Sequence, residues 1–123
     1  MAIDRVKASV SSILNHSMRF GLEGKLLPDG LKATVQEYVD GYELYDHVLQ
    51  AGRNPKRMEE LGLTDYALRR FALAGTPRDW VTRVEQLAQA GVARIWMTLG
   101  GGELDRQARD LRLIGEGVLP NFV

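Results

Sequence analysis

Arg70–Thr98 reads RFALAGTPRDWVTRVEQLAQAGVARIWMT, and its punctuation decides which fold to expect. Phe71–Ala74 is a short apolar run that stops at Gly75. Thr76 has the side chain of a helix N-cap, and Pro77 suits a first helical position, where its missing N–H costs nothing. Asp79 adds negative charge to the first turn, the favourable end of the helix dipole. Trp80, Val84, Leu87 and Ala88 then recur at three- and four-residue steps, and Gly91 is a C-terminal stop. Val92–Leu99 is apolar and β-prone, and Gly100, Gly101 and Gly102 end it. The spacing predicts strands near 70–75 and 92–99 around a helix over 77–90, a parallel, right-handed βαβ unit.

Outward from this unit the chain reads as helix and loop. Ile3, Val6, Val10, Ile13, Ser17 and Phe20 follow helical spacing and predict a helix near 2–20. Gly21–Gly30 is a loop with Pro28-Asp29-Gly30 turn chemistry. Leu31, Val35, Tyr38, Tyr42, Tyr45 and Leu49 fall on one stripe, widened by Val39 and Val48, and predict a helix over 31–50 with Gly41 as its weak point. Asn54 reads as the cap of a helix near 54–61 with Pro55 at its first position, and Thr64 or Asp65 caps another near 64–69. Leu104, Ala108, Leu111, Ile114 and Val118 mark a last helix over 103–118, stopped by Pro120. The expected organisation is a helical segment, 1–69, followed by a βαβα unit, 70–123. Two parallel strands alone leave both sheet edges open, so such a chain requires neighbours.

Composition narrows the function. At 123 residues the chain is one domain at most, and 45% hydrophobic content is that of a globular protein. Sixteen basic residues balance sixteen acidic ones, which argues against a nucleic-acid binder. No stretch approaches a membrane span of roughly 20 apolar residues, the N-terminus lacks an apolar signal core, and a cytoplasmic location is expected. Without cysteine there is no disulfide framework, and two distant histidines, His16 and His47, give no metal site.

Four features in order, Phe71-Ala-Leu-Ala-Gly-Thr-Pro77, Gln89-Ala-Gly-Val92, Arg94-Ile-Trp-Met-Thr98 and Gly117-Val-Leu-Pro120, resemble the C-terminal end of the bacterial-luciferase-like flavin-dependent oxidoreductases. Arg78-Asp79 departs from the frequent Glu-Glu, and Gly117 stands where Glu is frequent. Upstream, Leu27-Pro28, the tyrosine stripe and Asp46-His47 are similar more loosely. The resemblance implies an α/β fold, the last two βα units of a (β/α)₈ TIM-type barrel preceded by a helical insertion. It implies FMN or a deazaflavin coenzyme, hydride transfer or monooxygenation, and a homo-oligomer or a missing barrel half as partner. Most flavin contacts of that family lie on earlier strands, so this chain alone is expected to be inactive. The alternative is a non-enzymatic α/β oligomerisation or interaction module derived from such a barrel.

Ligands of such barrels sit at the C-terminal ends of strands, which nominates Gly75 and Thr76 at a helix N-terminus and Gly100 and Gly101 in the glycine run as cofactor-binding residues. Capping alone also explains Gly75-Thr76-Pro77, and a flexible turn also explains the glycines. His47 is the one catalytic candidate, as an acid or hydrogen-bond donor beside the tyrosine stripe. Arg19 and Arg53 suit either an acidic ligand or solvent, and Trp96 reads as core or interface. No nucleophile–base pair or carboxylate pair is recognisable.

Overall fold

The structure, a computed structural model, describes residues 2–47, 52–99 and 102–122. Among the described residues six α-helices follow in order: α1 (Ala2–Met18), α2 (Lys32–Asp40), α3 (Arg53–Glu60), α4 (Thr64–Phe71), α5 (Pro77–Gln89) and α6 (Leu104–Gly117). Short 3₁₀ turns occupy Asp29–Leu31, Leu44–Asp46 and Leu119–Asn121. The chain divides into two units, Val6–Ala72 and the combination of Met1–Arg5 with Leu73–Val123.

The expected α/β architecture is corrected: among the described residues there is no strand, hence neither a parallel βαβ unit nor a TIM-barrel fragment. Phe71 closes α4 instead of opening a strand. Leu63, Ala67 and Phe71 are four residues apart. Leu63 and Ala67 are fully buried and Phe71 packs on the same core, so helical periodicity claims the start of the apolar run. Ala72 then turns extended, at φ −132° and ψ 153°, and too little remains for a strand. Val92–Leu99 carries no regular structure. β-propensity describes how a residue fits a pleated surface, and without a paired neighbour that surface does not exist.

The Val6–Ala72 unit owns the core. Val10, Leu14 and Met18 of α1 meet Leu27, Val35 and Tyr38 of the loop and α2, and Met58, Leu63 and Ala67 from α3 and α4. Leu14, Val35, Tyr38, Met58, Leu63 and Ala67 have no exposed surface at all. The buried stripe of α1 differs from the expected one: Ile13 faces solvent, while Ser11, Ser12 and Asn15 are buried beside Leu14 and Met18; Phe20, also exposed, lies beyond the helix, which ends at Met18. α2 also ends early. It stops at Asp40, Gly41 is its C-cap, and Tyr45 is 97% exposed beyond it. Val48 and Leu49, assigned from sequence to the end of that helix, lie outside the described residues.

In the unit formed by Met1–Arg5 and Leu73–Val123, α5 packs on α6, and the Pro77 ring lies 3.0 Å from where a Cβ on Gly117 would stand. Arg5 donates to both carboxylate oxygens of Asp110, one at 3.2 Å. No residue of α5 or α6 is fully buried. Trp96 is 93% exposed and Leu104 82%, with Leu111, Leu113 and Leu119 more than half exposed. Among the described residues no helix is long and apolar enough to cross a membrane.

Candidate functional site

The densest polar arrangement in the Val6–Ala72 unit starts on the buried face of α1. Tyr38, on α2, donates its hydroxyl hydrogen toward the Ser11 carbonyl at 2.9 Å and lies 3.0 Å from Ser11 Oγ. One turn further, Tyr42 meets Tyr38 edge to face, with ring centroids 5.9 Å apart. His47 follows the Leu44–Asp46 turn and meets Tyr42 in the same way at 6.1 Å, with Nδ1 2.8 Å from the Tyr42 hydroxyl. The inner end of the row is dry and the outer end is wet: Tyr38 is buried, Tyr42 half-buried and His47 exposed.

Asn54 sets the position of the segment that carries Tyr42 and His47. Sequence spacing assigns it to a helix cap. In the structure α3 begins earlier, at Arg53 after Gly52, and Asn54 is buried inside its first turn. Its side chain reads the Glu43 backbone in both directions, accepting from the N–H at 2.8 Å and donating to the carbonyl at 2.7 Å. Asp46 ties the same turn to α3 by accepting from the Arg53 N–H at 3.0 Å. A buried amide that satisfies a loop's backbone fixes that loop more firmly than a surface ion pair does.

Burial raises the pKa of Tyr38 well above the ordinary phenol range, against an opposing hydrogen bond with Ser11. Burial also raises Tyr42, while hydrogen bonds with Ser12 and Asn54 pull it back. Both phenols therefore stay protonated at neutral pH. Ser12 Oγ lies 3.3 Å from Nδ1 and 3.1 Å from Nε2 of His47. Near-equal reach to both ring nitrogens places the hydroxyl over the imidazole face, out of line with either in-plane lone pair. Ser12 and His47 are thus not a nucleophile–base dyad, which requires an in-line hydrogen bond. The chemistry this arrangement offers is one exposed imidazole on a fixed support.

Thr76 forms a complete capping box with Asp79, and Gly75 precedes it. Asp79 N–H donates to Thr76 Oγ1 at 3.3 Å, and Asp79 Oδ2 accepts from the Thr76 N–H at 2.8 Å. These bonds hold the Asp79 carboxyl below its usual range. A Cβ on Gly75, at φ +149°, would stand 2.7 Å from that carboxylate. The Asp79 carboxylate thus already accepts at the α5 N-terminus. Gly100 and Gly101 lie outside the described residues. Arg19 stacks on the Phe20 ring at 4.4 Å, and Arg53 lies 3.7 Å from Asp46. Among the described residues no three metal-ligating side chains cluster.

A second feature is an open groove of about 460 Å³ lined by Leu31, Gly62, Asp65, Tyr66, Arg69 and Arg70. Its cations are engaged within the chain. Arg70 donates to Tyr66 Oη at 2.9 Å and to the Lys25 carbonyl at 2.6 Å, and Arg69 lies 3.4 Å from Asp65.

Sequence reasoning named His47, placed Tyr42 on a helical stripe and made Asn54 a helix cap, but gave no role to Ser12. The available signal was Ser11, Ser12 and Asn15 at helical spacing beside Leu14 and Met18. Polar groups on an apolar face must find partners once buried. Comparison with family models, curated proteins and solved structures returns no match.

Proposed function

We propose that the chain is the C-terminal portion of a luciferase-like flavin- or deazaflavin-dependent oxidoreductase, working in hydride transfer or monooxygenation, and inactive by itself. The observation that carries this reading is the order of its junction residues. Thr76-Pro77 opens α5, Gly91 follows α5 in the left-handed region at φ +90°, and Pro120 lies in the turn after α6. These are the junctions at which the resembling motifs fall. The cofactor, when bound, supplies the hydride or oxygen chemistry, and the protein binds and orients.

The test is expression of the longest in-frame coding sequence that contains residues 1–123, followed by ultrafiltration with FMN and with a deazaflavin coenzyme. Near-stoichiometric retention of either supports the reading, and a folded product that retains neither overturns it. The exposure of Trp96 and Leu104 favours a second reading, a non-enzymatic oligomerisation or interaction module. Self-association without flavin retention would select that one.

A further inference from the structure

We propose that Ala93–Leu99 pairs with the same segment of a second copy of this chain as a two-stranded antiparallel ribbon, with Trp96 opposite Trp96 at the two-fold axis. The pairing rests on the second reading above, in which the chain self-associates.

The backbone specifies the partner. No turn or bend interrupts Val92–Leu99. The Val92 N–H donates to the Leu87 carbonyl at 3.0 Å and ties the run to the end of α5. Among the described residues Ala93–Leu99 makes no further hydrogen bond, from backbone or side chain. Its apolar side chains are open as well: Trp96 is 93% exposed, and Val92 and Met97 are exposed beside it. Solvent satisfies the polar groups of such a run but leaves the apolar ones bare. A helix or a small apolar ligand covers side chains and strands the backbone groups beneath. Only another strand does both, taking up the row of N–H and C=O groups while its side chains lie against Trp96 and Met97. A second copy supplies that strand, because its own Ala93–Leu99 is open in the same way.

Charge sets the direction. Arg94 is the one charged residue of the run. A parallel, in-register pair would set Arg94 beside Arg94 at about 5 Å, like charge against like. Antiparallel pairing centred on Trp96 engages the whole run, places Ile95 opposite Met97 and Arg94 opposite Thr98, and parts the two arginines by about 14 Å along the strands. The interface is isologous, as in two-fold dimers generally. A lone two-stranded ribbon is marginal in water, so micromolar association is the expected strength.

The test uses the full chain, which has no cysteine of its own. Sedimentation equilibrium at micromolar concentration should show a dimer. Ile95→Cys mixed with Met97→Cys should oxidise to a disulfide-linked pair about fivefold faster than either variant alone. Residues directly opposite come within disulfide reach, whereas like residues of the two copies lie on the longer diagonal. The double variant Ile95→Pro/Thr98→Pro should be monomeric with unchanged helix content by circular dichroism, because it removes an N–H from each edge of the run. A monomeric unaltered chain overturns the proposal together with the self-association it rests on. Equal cross-linking in the mixture and in the single variants overturns the pairing alone. So does a dimer that survives in the folded proline variant, which leaves self-association through another surface. If the proline variant does not fold, the cross-linking rates decide by themselves.

Discussion

Tyr38 and Ser11 lock α2 onto α1 through the Tyr38 hydroxyl, which reaches the Ser11 carbonyl at 2.9 Å with no exposed surface on the tyrosine. Removing that hydroxyl leaves Ser11 Oγ, itself buried, without its 3.0 Å partner. Tyr38→Phe should therefore lower unfolding stability by about 1–2 kcal/mol, read from urea melts monitored by far-UV circular dichroism. A change below a few tenths would show that the bond is replaced in the variant.

The same tyrosine predicts behaviour in alkali. Burial raises the folded-state pKa of Tyr38 above its unfolded value, so above roughly pH 10 the unfolded chain loses the proton first. The native state then holds more protons, and stability falls as pH rises. Tyr42, raised by burial, acts in the same direction. Below roughly pH 10 the full contribution is present. Melts at stepped alkaline pH should show this decline, with a shallower slope in Tyr38→Phe.

Asn54 should be among the most sensitive polar positions. Asn54→Ala removes an acceptor from the Glu43 N–H and a donor to the Glu43 carbonyl at a buried site, a loss of about 2–3 kcal/mol. Asn54→Asp keeps the acceptor alone and should fall between the two. Thermal melts of the three proteins give the order.

Acid should weaken the unit formed by Met1–Arg5 and Leu73–Val123 through two carboxylates. The Asp110 carboxyl is lowered by its hydrogen bond with Arg5, and Asp79 by those with Thr76. Folded-state values below the unfolded one mean that the stabilisation is present above roughly pH 4 and is lost as pH falls through the folded values. Hydrogen exchange across α5 and α6 should rise in that window. Thr76→Ala should loosen α5 at neutral pH, by about 0.5–2 kcal/mol.

If the proposed oxidoreductase reading holds, with most flavin contacts on other residues of the enzyme, the chain by itself should bind FMN only at about millimolar Kd or weaker, because few ordered contacts remain. It should also self-associate, since Trp96, Leu104 and Leu111 present apolar surface to water. Sedimentation equilibrium at micromolar concentration checks the second point, and flavin fluorescence the first. Trp96→Asp should abolish association. It should leave unfolding of the Val6–Ala72 core cooperative, because Trp96 is not part of that core.

The sequence by itself determined much of the local punctuation. Thr76, Pro77 and Asp79 start α5 because capping joins atoms three residues apart and needs no distant partner. Gly91 follows α5 at φ +90° for an equally local reason. Only the tertiary structure decided the state of Phe71 and of Val92–Leu99. A helix satisfies its own backbone, whereas a strand exists only beside another strand, so an apolar β-prone run stays irregular when no neighbour pairs with it. Tertiary packing likewise chose which face of α1 is buried, taking Ser11, Ser12 and Asn15 inside and leaving Ile13 outside. The site follows the same division. His47 was visible as a residue type, but its support is not local. Ser12 meets it only because α1 packs against the segment after α2, and Asn54 reaches Glu43 across eleven residues of sequence.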